Sequence, residues 1–280
     1  MILLEAKDIV SRIRSDLASK VGVRAHAPRL GVIVVGQNPV SEKFLLLKEK
    51  FAASIGVETR RYSFDETISA GELRTRMNDI VHESANAGII VQLPLPKHID
   101  AQSILNAVTP EKDVDVLSAR SVGNFEVGKS KILPPVVSAV KALFDEHKIT
   151  LEEKKVVVIG HGKLAGRPLA TWVMREGGVL TIISSEKNFR PEVVQGADIV
   201  VSGVGKAGLI KSEMIKEGAV VVDVGTSEQN GEIVGDVDFE SVSKKAAYLT
   251  PVIGGVGPLT VAFVFQNLLT LLEQKTERVI

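Results

Sequence analysis

The sequence predicts an α/β fold in two domains, the second of the Rossmann type. Short apolar strands alternate with amphipathic helices through the first half of the chain, which is typical of a parallel sheet with helices on both faces. In the second half, the segment KKVVVIGHGKLAGRP joins a four-residue apolar strand to a glycine-rich loop and a helix. The length of 280 residues suits two ordinary domains or one large domain.

The first half opens with an amphipathic helix, in which Ile9, Ile13 and Leu17 recur at helical spacing. Strands are then predicted at residues 30–35, 58–64 and 88–92, and helices at 39–55 and from residue 69 onward. Ser69 followed by Glu72 is a capping box, which marks the start of the second of these helices.

The middle of the chain, residues 94–135, is rich in turns and has one predicted short helix, near Ile104. A helix at 135–147 is expected to connect the domains. Further strands are predicted at 179–183, 198–202 and 219–224, with a hairpin around Asn230 and Gly231 and a last apolar helix at 259–274. We therefore expect one domain from residues 1–134, joined by the C-terminal helix 259–280, and a Rossmann-type domain from residues 135–258.

The glycine-rich loop follows the strand at 156–159. Gly160 suits a tight turn, Gly162 lets the backbone approach a phosphate, and Gly166 opens a helix whose free N–H groups can face an anion. The last glycine comes one residue later than in the G-x-G-x-x-G fingerprint. Because the strand at 179–183 completes a βαβ unit, we favour a phosphate-binding loop over a turn without a ligand.

Composition is that of a soluble globular protein, with 45% hydrophobic and 24% charged residues. Basic and acidic residues number 34 each, so no net charge attracts nucleic acid or an anionic membrane. The lack of cysteine excludes disulfides, thiolate zinc sites and a cysteine nucleophile. Since no apolar run approaches the roughly 18 residues of a membrane span and no signal peptide is evident, we expect a cytoplasmic protein.

Lys48 has an unusual position for a lysine. On the predicted helix, Lys43 and Lys50 fall on the polar side, whereas Lys48 lies within the apolar arc. The other members of that arc are Ser41, Phe44, Phe51 and Ile55. Two interpretations remain open: a side chain whose stem packs while its ammonium reaches water, and a partly desolvated amine that exchanges protons near neutral pH.

Polar residues also stand where ligands commonly bind. Gln92 ends a predicted strand, and the carboxyl ends of parallel strands form the ligand crevice, although such a glutamine is often an ordinary hydrogen-bonding residue. Asp113 and Asp115 alternate in a charged turn, but no further ligand follows at metal spacing, so no metal site is expected. One carboxylate could accept two parallel N–H bonds from a heterocycle edge; solvated loop acids are the alternative.

Seven segments carry a resemblance to a known family. They are VVGQNPVSEKFLLLKEK (34–50), GIIVQLPLP (88–96), PEKDVD (110–115), VIGHGKLAGRP (158–168), EGAVVVDVG (217–225), VGDVDF (234–239) and TPVIGGVGPLT (250–260). In this order and separation they resemble the methylenetetrahydrofolate dehydrogenase/cyclohydrolase family over nearly the whole chain.

The resemblance implies a two-step conversion in one-carbon metabolism, in which methylenetetrahydrofolate is oxidised with a nicotinamide cofactor and the methenyl product is hydrolysed to formyltetrahydrofolate. It implies that the N-terminal domain binds substrate, that Lys48 is the catalytic lysine with Gln92 as its partner, and that Asp115 holds the pterin. The other implied substrate-binding residues are Ser41, Phe44, Gly254, Gly255 and Pro258.

The resemblance also implies a homodimer and favours NADP as the cofactor, with NAD as the alternative. The implied cofactor-binding residues are Gly160, His161, Gly162, Gly166, Ser184 and Ser185. His161 stands where the family often has an arginine for the extra phosphate of NADP. Lys187 would help to hold that phosphate, whereas Glu186 would repel it.

Several positions depart from the family pattern. Phe44 replaces a tyrosine, Val116 replaces a glycine, and Ile253 and residues 134–139 differ from the family's proline-containing motifs. Because most of these changes fall on the folate side, two alternatives stay open: a dehydrogenase without the hydrolytic step, and a noncatalytic protein that binds a pterin or a dinucleotide.

Overall fold

The computed structural model describes residues 1–229 and 232–277. The chain forms two compact units. The six-stranded unit comprises Met1–Val10 and Val136–Thr260, and the three-stranded unit comprises Ser11–Pro135 and the C-terminal stretch from Val261.

Strands and helices alternate along the chain. The strands are β1 (Ile2–Leu3), β2 (Arg29–Val35), β3 (Glu58–Phe64), β4 (Asn86–Val91), β5 (Lys155–Ile159), β6 (Val179–Ile183), β7 (Ile199–Ser202), β8 (Val220–Asp223), β9 (Ser227–Gln229), β10 (Glu232–Val234) and β11 (Tyr248–Leu249). The helices are α1 (Lys7–Gly22), α2 (Pro39–Ile55), α3 (Ala70–His82), α4 (Ala101–Leu105), α5 (Ala119–Glu126), α6 (Pro135–His147), α7 (Gly166–Arg175), α8 (Pro191–Gln195), α9 (Phe239–Val242) and α10 (Val256–Glu277).

The three-stranded unit is built on a parallel sheet in the order β3-β2-β4. The central strand, β2, is buried along most of its length, as expected of a strand covered on both faces. Apolar residues of the strands, of α3 and of α4 form its core, including Ile33, Leu73, Met77, Ile89, Val91 and Ile104. The chain passes from β2 to β3 on one side of it and then to β4 on the other side, so the carboxyl ends of β2 and β4 border a topological switch point.

The six-stranded unit contains a parallel sheet in the order β1-β11-β8-β7-β5-β6. Its strand β5 lies between β6 and β7, and the direction of strand addition reverses there. In open α/β sheets this reversal creates a crevice at the carboxyl ends of the strands. The parallel sheets of both units confirm the predicted α/β class and the Rossmann-type arrangement of the second domain.

Several predicted elements occur at their predicted bounds, among them α2, β3, α6 and β6. The capping box is also present in part, because the backbone N–H of Glu72 donates to the Ser69 hydroxyl at 3.2 Å. The prediction of one short helix between residues 94 and 135 was wrong, since both α4 and α5 form there. In α5 the helix start depends on Ser118, whose hydroxyl accepts from the Ser121 backbone N–H at 3.3 Å.

The sequence did not predict the short strands β1, at the edge of the sheet, and β11, beside it. Ile2 and Leu3 pair with Tyr248 and Leu249 in parallel register, and two-residue strands carry no periodic signal of their own. The predicted hairpin is represented by β9 and β10, which pair antiparallel. Its predicted turn residues, Asn230 and Gly231, lie outside the described residues.

The last helix is longer than predicted, beginning at Val256 rather than at Leu259. Among the described residues, its Val256–Gln274 stretch alone is long and apolar enough to cross a membrane, with a mean hydropathy of 1.4. The expectation that no apolar run approaches that length was therefore too strict. Since 56% of the stretch is buried within the protein, it also has the character of a core helix.

Candidate active site

Helix α2 presents the first candidate residues. The Asn38 side chain accepts from the Ser41 backbone N–H at 3.0 Å, Pro39 occupies the first turn, and Gly56 ends the helix in the left-handed conformation. Lys43 and Lys50 are exposed, as the helical spacing predicted, whereas Phe51 and Ile55 are buried. Lys48 is half-buried between these two faces.

Lys48 and Gln92 meet although 44 residues separate them in the chain. The Lys48 ammonium donates to Gln92 Oε1 at 3.3 Å, while Gln92 Nε2 donates to the carbonyl oxygen of Leu93 at 2.9 Å. The backbone N–H of Gln92 also donates to the carbonyl oxygen of Ile33 on β2. Both ends of the amide are therefore used, which fixes its orientation and aims its oxygen at the lysine.

Asp115 completes this cluster. Burial raises the pKa of its carboxyl to about 6, because the protein environment disfavours the charged form; the Lys48 ammonium opposes this change and the Asp113 charge adds to it. Asp115 is half-buried in solvent accessibility, so it retains a face that a ligand can reach. The three-stranded unit thus brings together Lys48, Gln92 and Asp115, which the sequence singled out separately.

The neighbouring Asp113 has a structural role in the loop that carries Asp115. Its side chain is 3% exposed and accepts hydrogen bonds from the backbone N–H groups of Leu117 and Ser118, the latter at 2.8 Å. Asp113 is therefore not a solvated loop acid, and its oxygens organise the loop that carries Asp115. This difference could not be predicted from the sequence, because the two acids look equivalent in a charged turn.

Lys112, the residue before Asp113, also anchors this loop. Its ammonium donates to the carbonyl oxygens of Val81, at 2.6 Å, and Glu83, at 2.9 Å, at the end of α3. A cation at the carboxyl end of a helix is electrostatically favourable. The side chains of Lys112 and Asp113, which both precede Asp115, thus anchor the loop that carries it.

Val116, which follows Asp115, has a left-handed backbone with φ of 58°. This conformation is strained for a β-branched residue and costs nothing sterically for glycine. The family's glycine at this position therefore has a conformational reason, and the chain adopts the same turn with valine. Val116 and Lys112 also border a separate cavity of about 350 Å³, whose lining does not include Lys48, Gln92 or Asp115.

Ser41 and Phe44 lie on the same helix as Lys48. Ser41 is 8% exposed, and its hydroxyl donates to the carbonyl oxygen of Leu93 at 3.3 Å, which ties the start of α2 to the segment after β4. Phe44 is half-buried one helical turn before Lys48. Its ring is available for stacking, but it supplies no hydroxyl to the lysine.

In the six-stranded unit, the glycine loop after β5 is formed by close backbone contacts. Gly160 has a φ of 100°, and a side chain there would lie 2.6 Å from the carbonyl oxygen of Gly203. A side chain at Gly166 would overlap the carbonyl oxygen of Gly160. Gly162, by contrast, faces open space. The delayed third glycine therefore serves close packing of α7 against the loop, as the third glycine of the usual fingerprint does.

A cavity of about 240 Å³ lies at the carboxyl ends of β5, β6 and β7. Its lining residues are Ile159, Gly160, Ile183, Ser184, Ser185, Phe189, Val204, Lys206 and Leu209. Gly160, Ser184 and Ser185 are thus brought together as predicted from the sequence. His161, Gly162 and Gly166 belong to the adjoining loop but do not line the cavity. Lys206, which was not singled out in the sequence, contributes a charged side chain to the lining of the cavity.

His161 is exposed, and its carbonyl oxygen accepts from Arg167 Nε at 3.1 Å. Helix α7 begins without a side-chain cap, so N–H groups of its first turn have no side-chain acceptor. This helix start and the hydroxyl groups of Ser184 and Ser185 in the cavity fit a dinucleotide, whose phosphates suit free N–H groups and whose ribose suits hydroxyl partners.

The remaining candidates, Gly254, Gly255 and Pro258, stand around the start of α10. Gly254 has a φ of 88°, and its carbonyl oxygen accepts from the Ala6 backbone N–H at 2.8 Å. A side chain at Gly255 would overlap the carbonyl oxygen of Pro251. Pro258 is exposed. The turn itself therefore requires both glycines. All three residues belong to the six-stranded unit.

Together, the three-stranded α/β unit with its Lys–Gln–Asp cluster and the Rossmann-type unit with its glycine loop define a dinucleotide-dependent enzyme. Residues 4–115 match the catalytic domain of the tetrahydrofolate dehydrogenase/cyclohydrolase family, and residues 134–276 match its NAD(P)-binding domain. The chain belongs to this family.

Relatives of similar length support this conclusion. The chain is 36% identical to the bifunctional protein FolD 2 of Lactobacillus johnsonii over 282 residues, covering 99% of each chain. It also superposes on the crystal structure of a bifunctional FolD from Campylobacter jejuni, with a TM-score of 0.93, 36% identity, and 98% and 99% of the two chains covered. A Trypanosoma brucei FolD structure, complexed with NADP and an inhibitor, has a TM-score of 0.93, 33% identity, and 99% and 98% coverage.

The family confirms the resemblance seen in the sequence. It also confirms the predicted enzyme class, with dehydrogenase and cyclohydrolase activities on tetrahydrofolate derivatives, and the predicted nicotinamide cofactor. The two alternatives, a dehydrogenase without the hydrolytic step and a noncatalytic binding protein, are not favoured by these relatives.

Proposed function

We propose that the chain oxidises 5,10-methylenetetrahydrofolate to the 5,10-methenyl form with NADP and then hydrolyses that form to 10-formyltetrahydrofolate, with Lys48, Gln92 and Asp115 as the catalytic cluster. The single observation that carries this assignment is the 3.3 Å hydrogen bond from Lys48 to Gln92 beside the half-buried Asp115. It joins an amine, an oriented amide and a carboxyl group at the carboxyl end of β4.

Lys48 serves the hydrolytic step. The methenyl carbon is cationic, and water must lose a proton as it adds to that carbon. A half-buried amine held by Gln92 polarises the substrate atoms and relays the proton, which is typically worth about 10² to 10⁴ in rate. Gln92 acts as a positioning partner, because its own amide is already fixed by Leu93.

Asp115 holds the substrate. A carboxylate can accept two parallel N–H bonds from the amidine-like edge of a pterin, which fixes the ring in one plane. Burial raises the pKa of Asp115, so N–H donors from a substrate would stabilise its charged form. Phe44 stacks on the substrate and Ser41 supports the neighbouring segment, while Gly254, Gly255 and Pro258 form the further folate contacts.

NADP accepts the hydride when it is bound, and the chain supplies its orientation. We place its phosphates at Gly160, His161, Gly162 and Gly166 and a ribose at Ser184 and Ser185. The support for this placement is the cavity lined by Gly160, Ser184 and Ser185 and the uncapped start of α7. NADP is preferred over NAD because the Trypanosoma brucei relative is complexed with NADP.

We further propose a cytoplasmic homodimer that serves one-carbon metabolism, including purine biosynthesis. Its catalytic domain consists of residues 1–134 with the helix 259–280, and its cofactor domain of residues 135–258. Matches of the catalytic domain at 4–115 and of the NAD(P)-binding domain at 134–276 support the division near residue 134.

One assay tests the proposed function. The purified protein is mixed with methylenetetrahydrofolate and NADP or NAD, while cofactor reduction and the methenyl absorbance are followed together. We expect reduction with NADP and decay of the methenyl signal faster than in a buffer blank. Reduction with decay at the blank rate would leave a dehydrogenase alone, and no reduction with either cofactor would contradict the proposal.

A further inference from the structure

Asp236 is a buried carboxylate that accepts hydrogen bonds from the end of β7, beside the glycine loop. Asp236 follows β10 and has no exposed surface. Its carboxylate accepts three hydrogen bonds, from the Ser202 hydroxyl at 2.8 Å and from the backbone N–H groups of Val204 and Lys206 at 2.7 Å each. These donors come from the end of β7 and from the loop that follows it. One side chain thus binds three donors within residues 202–206.

The chain makes room for this carboxylate at Gly225. A side chain at Gly225 would overlap all three atoms of the Asp236 carboxyl group. Asp223, at the end of β8, is 7% exposed and accepts from the backbone N–H groups of Gly225 and Val237 at 2.9 Å each. Asp236 thus binds the end of β7 and the loop after it, while Asp223, at the end of β8, binds the backbone of Val237, the residue after Asp236.

The loop held by Asp236 forms part of the cavity at the carboxyl ends of β5, β6 and β7. Val204 and Lys206 line that cavity together with Ser184 and Ser185. The preceding residue, Gly203, places its carbonyl oxygen against Gly160, where a side chain would lie 2.6 Å from it. Movement of the loop would therefore change both the wall of the cavity and the contact with the glycine turn.

We propose that Asp236 is a positioning residue for the cofactor: it fixes residues 203–206 as one wall of the dinucleotide cavity. This inference rests on the cofactor placement under the proposed function. Burying a carboxylate is costly unless donors surround it, and removing the acceptor leaves buried N–H groups unpaired. The three short hydrogen bonds compensate for this cost, and the loop they hold is preorganised before the cofactor arrives.

The test compares Asp236→Asn with Asp238→Asn, the same chemical change two residues away. An asparagine at 236 presents an NH₂ group to at least one of the three donors, so the loop must shift. Asp238 caps α9 by accepting from the Ser241 backbone N–H at 3.3 Å, a task that asparagine performs equally well. NADP affinity is measured by calorimetry, and the KM for NADP is measured in the dehydrogenase reaction.

For Asp236→Asn we expect the NADP Kd and KM to rise about tenfold or more, while Asp238→Asn stays within about twofold of the parent protein. Hydrolysis of methenyltetrahydrofolate, which needs no cofactor, is assayed in the same preparations. Hydrolysis at the parent rate would show that Asp236→Asn is folded and that the loss is specific to the cofactor. An unchanged NADP Kd in Asp236→Asn would overturn the proposal.

A second measurement covers the case in which Asp236→Asn does not fold. In the parent protein without cofactor, hydrogen exchange at the Val204 and Lys206 amides should be slowed, because both are bonded to Asp236. Rapid exchange at both amides would overturn the proposal. If the parent protein binds NADP and the NADP Kd of Asp236→Asn is unchanged, the inference about Asp236 alone fails. If the parent protein binds neither NADP nor NAD, both this inference and the proposed cofactor placement fail.

Discussion

The side-chain amide of Asn267 donates a hydrogen bond of 2.9 Å to the carbonyl oxygen of Val114, the residue before Asp115. The same amide nitrogen donates to the carbonyl oxygen of Leu133, also at 2.9 Å. Asn267 is 4% exposed and lies on α10. The last helix thus holds, from 153 residues away, the loop that carries the proposed pterin-binding residue.

Replacing Asn267 with alanine should lower the free energy of unfolding by about 2 kcal/mol, because two buried carbonyl oxygens lose their donor. Denaturation in urea, followed by circular dichroism, measures the change. Gln266→Ala is the matched control, since Gln266 is exposed on the same helix and its loss should stay within about 0.5 kcal/mol. Equal midpoints for the two variants would refute this role of Asn267.

Lys48→Met should reduce the hydrolysis of methenyltetrahydrofolate by about 10² to 10⁴-fold, because the proton relay at the attacked carbon is lost. Methionine keeps most of the apolar stem, so the fold is preserved. Lys50→Met is the control, because Lys50 is exposed on the same helix and should leave hydrolysis unchanged. Formation of the formyl product at the parent rate in Lys48→Met would show that the lysine is not the catalytic group.

Phe44→Tyr should raise the hydrolytic rate by about two- to tenfold, since it adds one hydroxyl that can hydrogen-bond one helical turn from Lys48. The rate of methenyl decay with saturating substrate is the measurement. Phe51→Tyr, on a buried position of the same helix, is the comparison and should bring no gain. A rate for Phe44→Tyr that does not exceed the parent rate would mean that the missing hydroxyl has no part in hydrolysis.

Substrate binding should depend on the protonation of Asp115, whose pKa is raised to about 6 by burial. Below pH 6 the carboxyl is mostly neutral and accepts N–H groups poorly, so the KM for methylenetetrahydrofolate should rise about fivefold between pH 6 and pH 5. The same profile for Asp115→Asn should be flat, at a uniformly high KM. A parallel rise in both proteins would assign the pH dependence to another group.

The stability of the protein should depend on pH through Asp223. Burial raises the pKa of this carboxyl to about 6; hydrogen bonds from Val237 and Gly225 oppose the increase, and the charge of Asp236 adds to it. In the unfolded chain the carboxyl titrates near 4, so between about pH 4 and pH 6 the native state binds more protons. The contribution of Asp223 is therefore fully present below about pH 4 and is lost as the pH rises through 6. It amounts to at most about 3 kcal/mol.

Comparison with Asp223→Asn isolates this group, because asparagine does not titrate. The free energy of unfolding of the parent protein minus that of the variant should fall as the pH rises from 4 to 7. A constant difference across this range would show that Asp223 has an ordinary pKa in the native state.

Much of the fold could be predicted because its signals are local. Helix α2 begins after a capping asparagine and a proline and ends at a glycine, so its bounds follow from neighbouring residues alone. The short strands β1 and β11 were missed for the opposite reason: each has two residues and is defined by its pairing with strands distant in the chain. Likewise α5 contains Gly123, which weakened the helical pattern.

Within the site, the sequence distinguished Lys48 from Lys43 and Lys50, since helical periodicity places each side chain on a face. It could not distinguish Asp113 from Asp115. In the folded chain the Asp113 carboxylate accepts hydrogen bonds from backbone N–H groups of its own loop, while the Asp115 carboxyl lies beside Lys48. The different roles of the two aspartates depend on the backbone N–H groups of Leu117 and Ser118, which the fold places beside Asp113.

The sequence by itself determined the alternation of strands and helices, the glycine loop and the family, because periodicity, caps and motif order are properties of neighbouring residues. Only the tertiary structure decided that Gln92 turns its oxygen to Lys48 and that Asp236 binds the loop after β7. Both contacts join residues more than 30 positions apart, and they require buried polar groups to find partners in three dimensions. Burial, and with it the pKa of Asp115 and Asp223, exists only once the chain has folded.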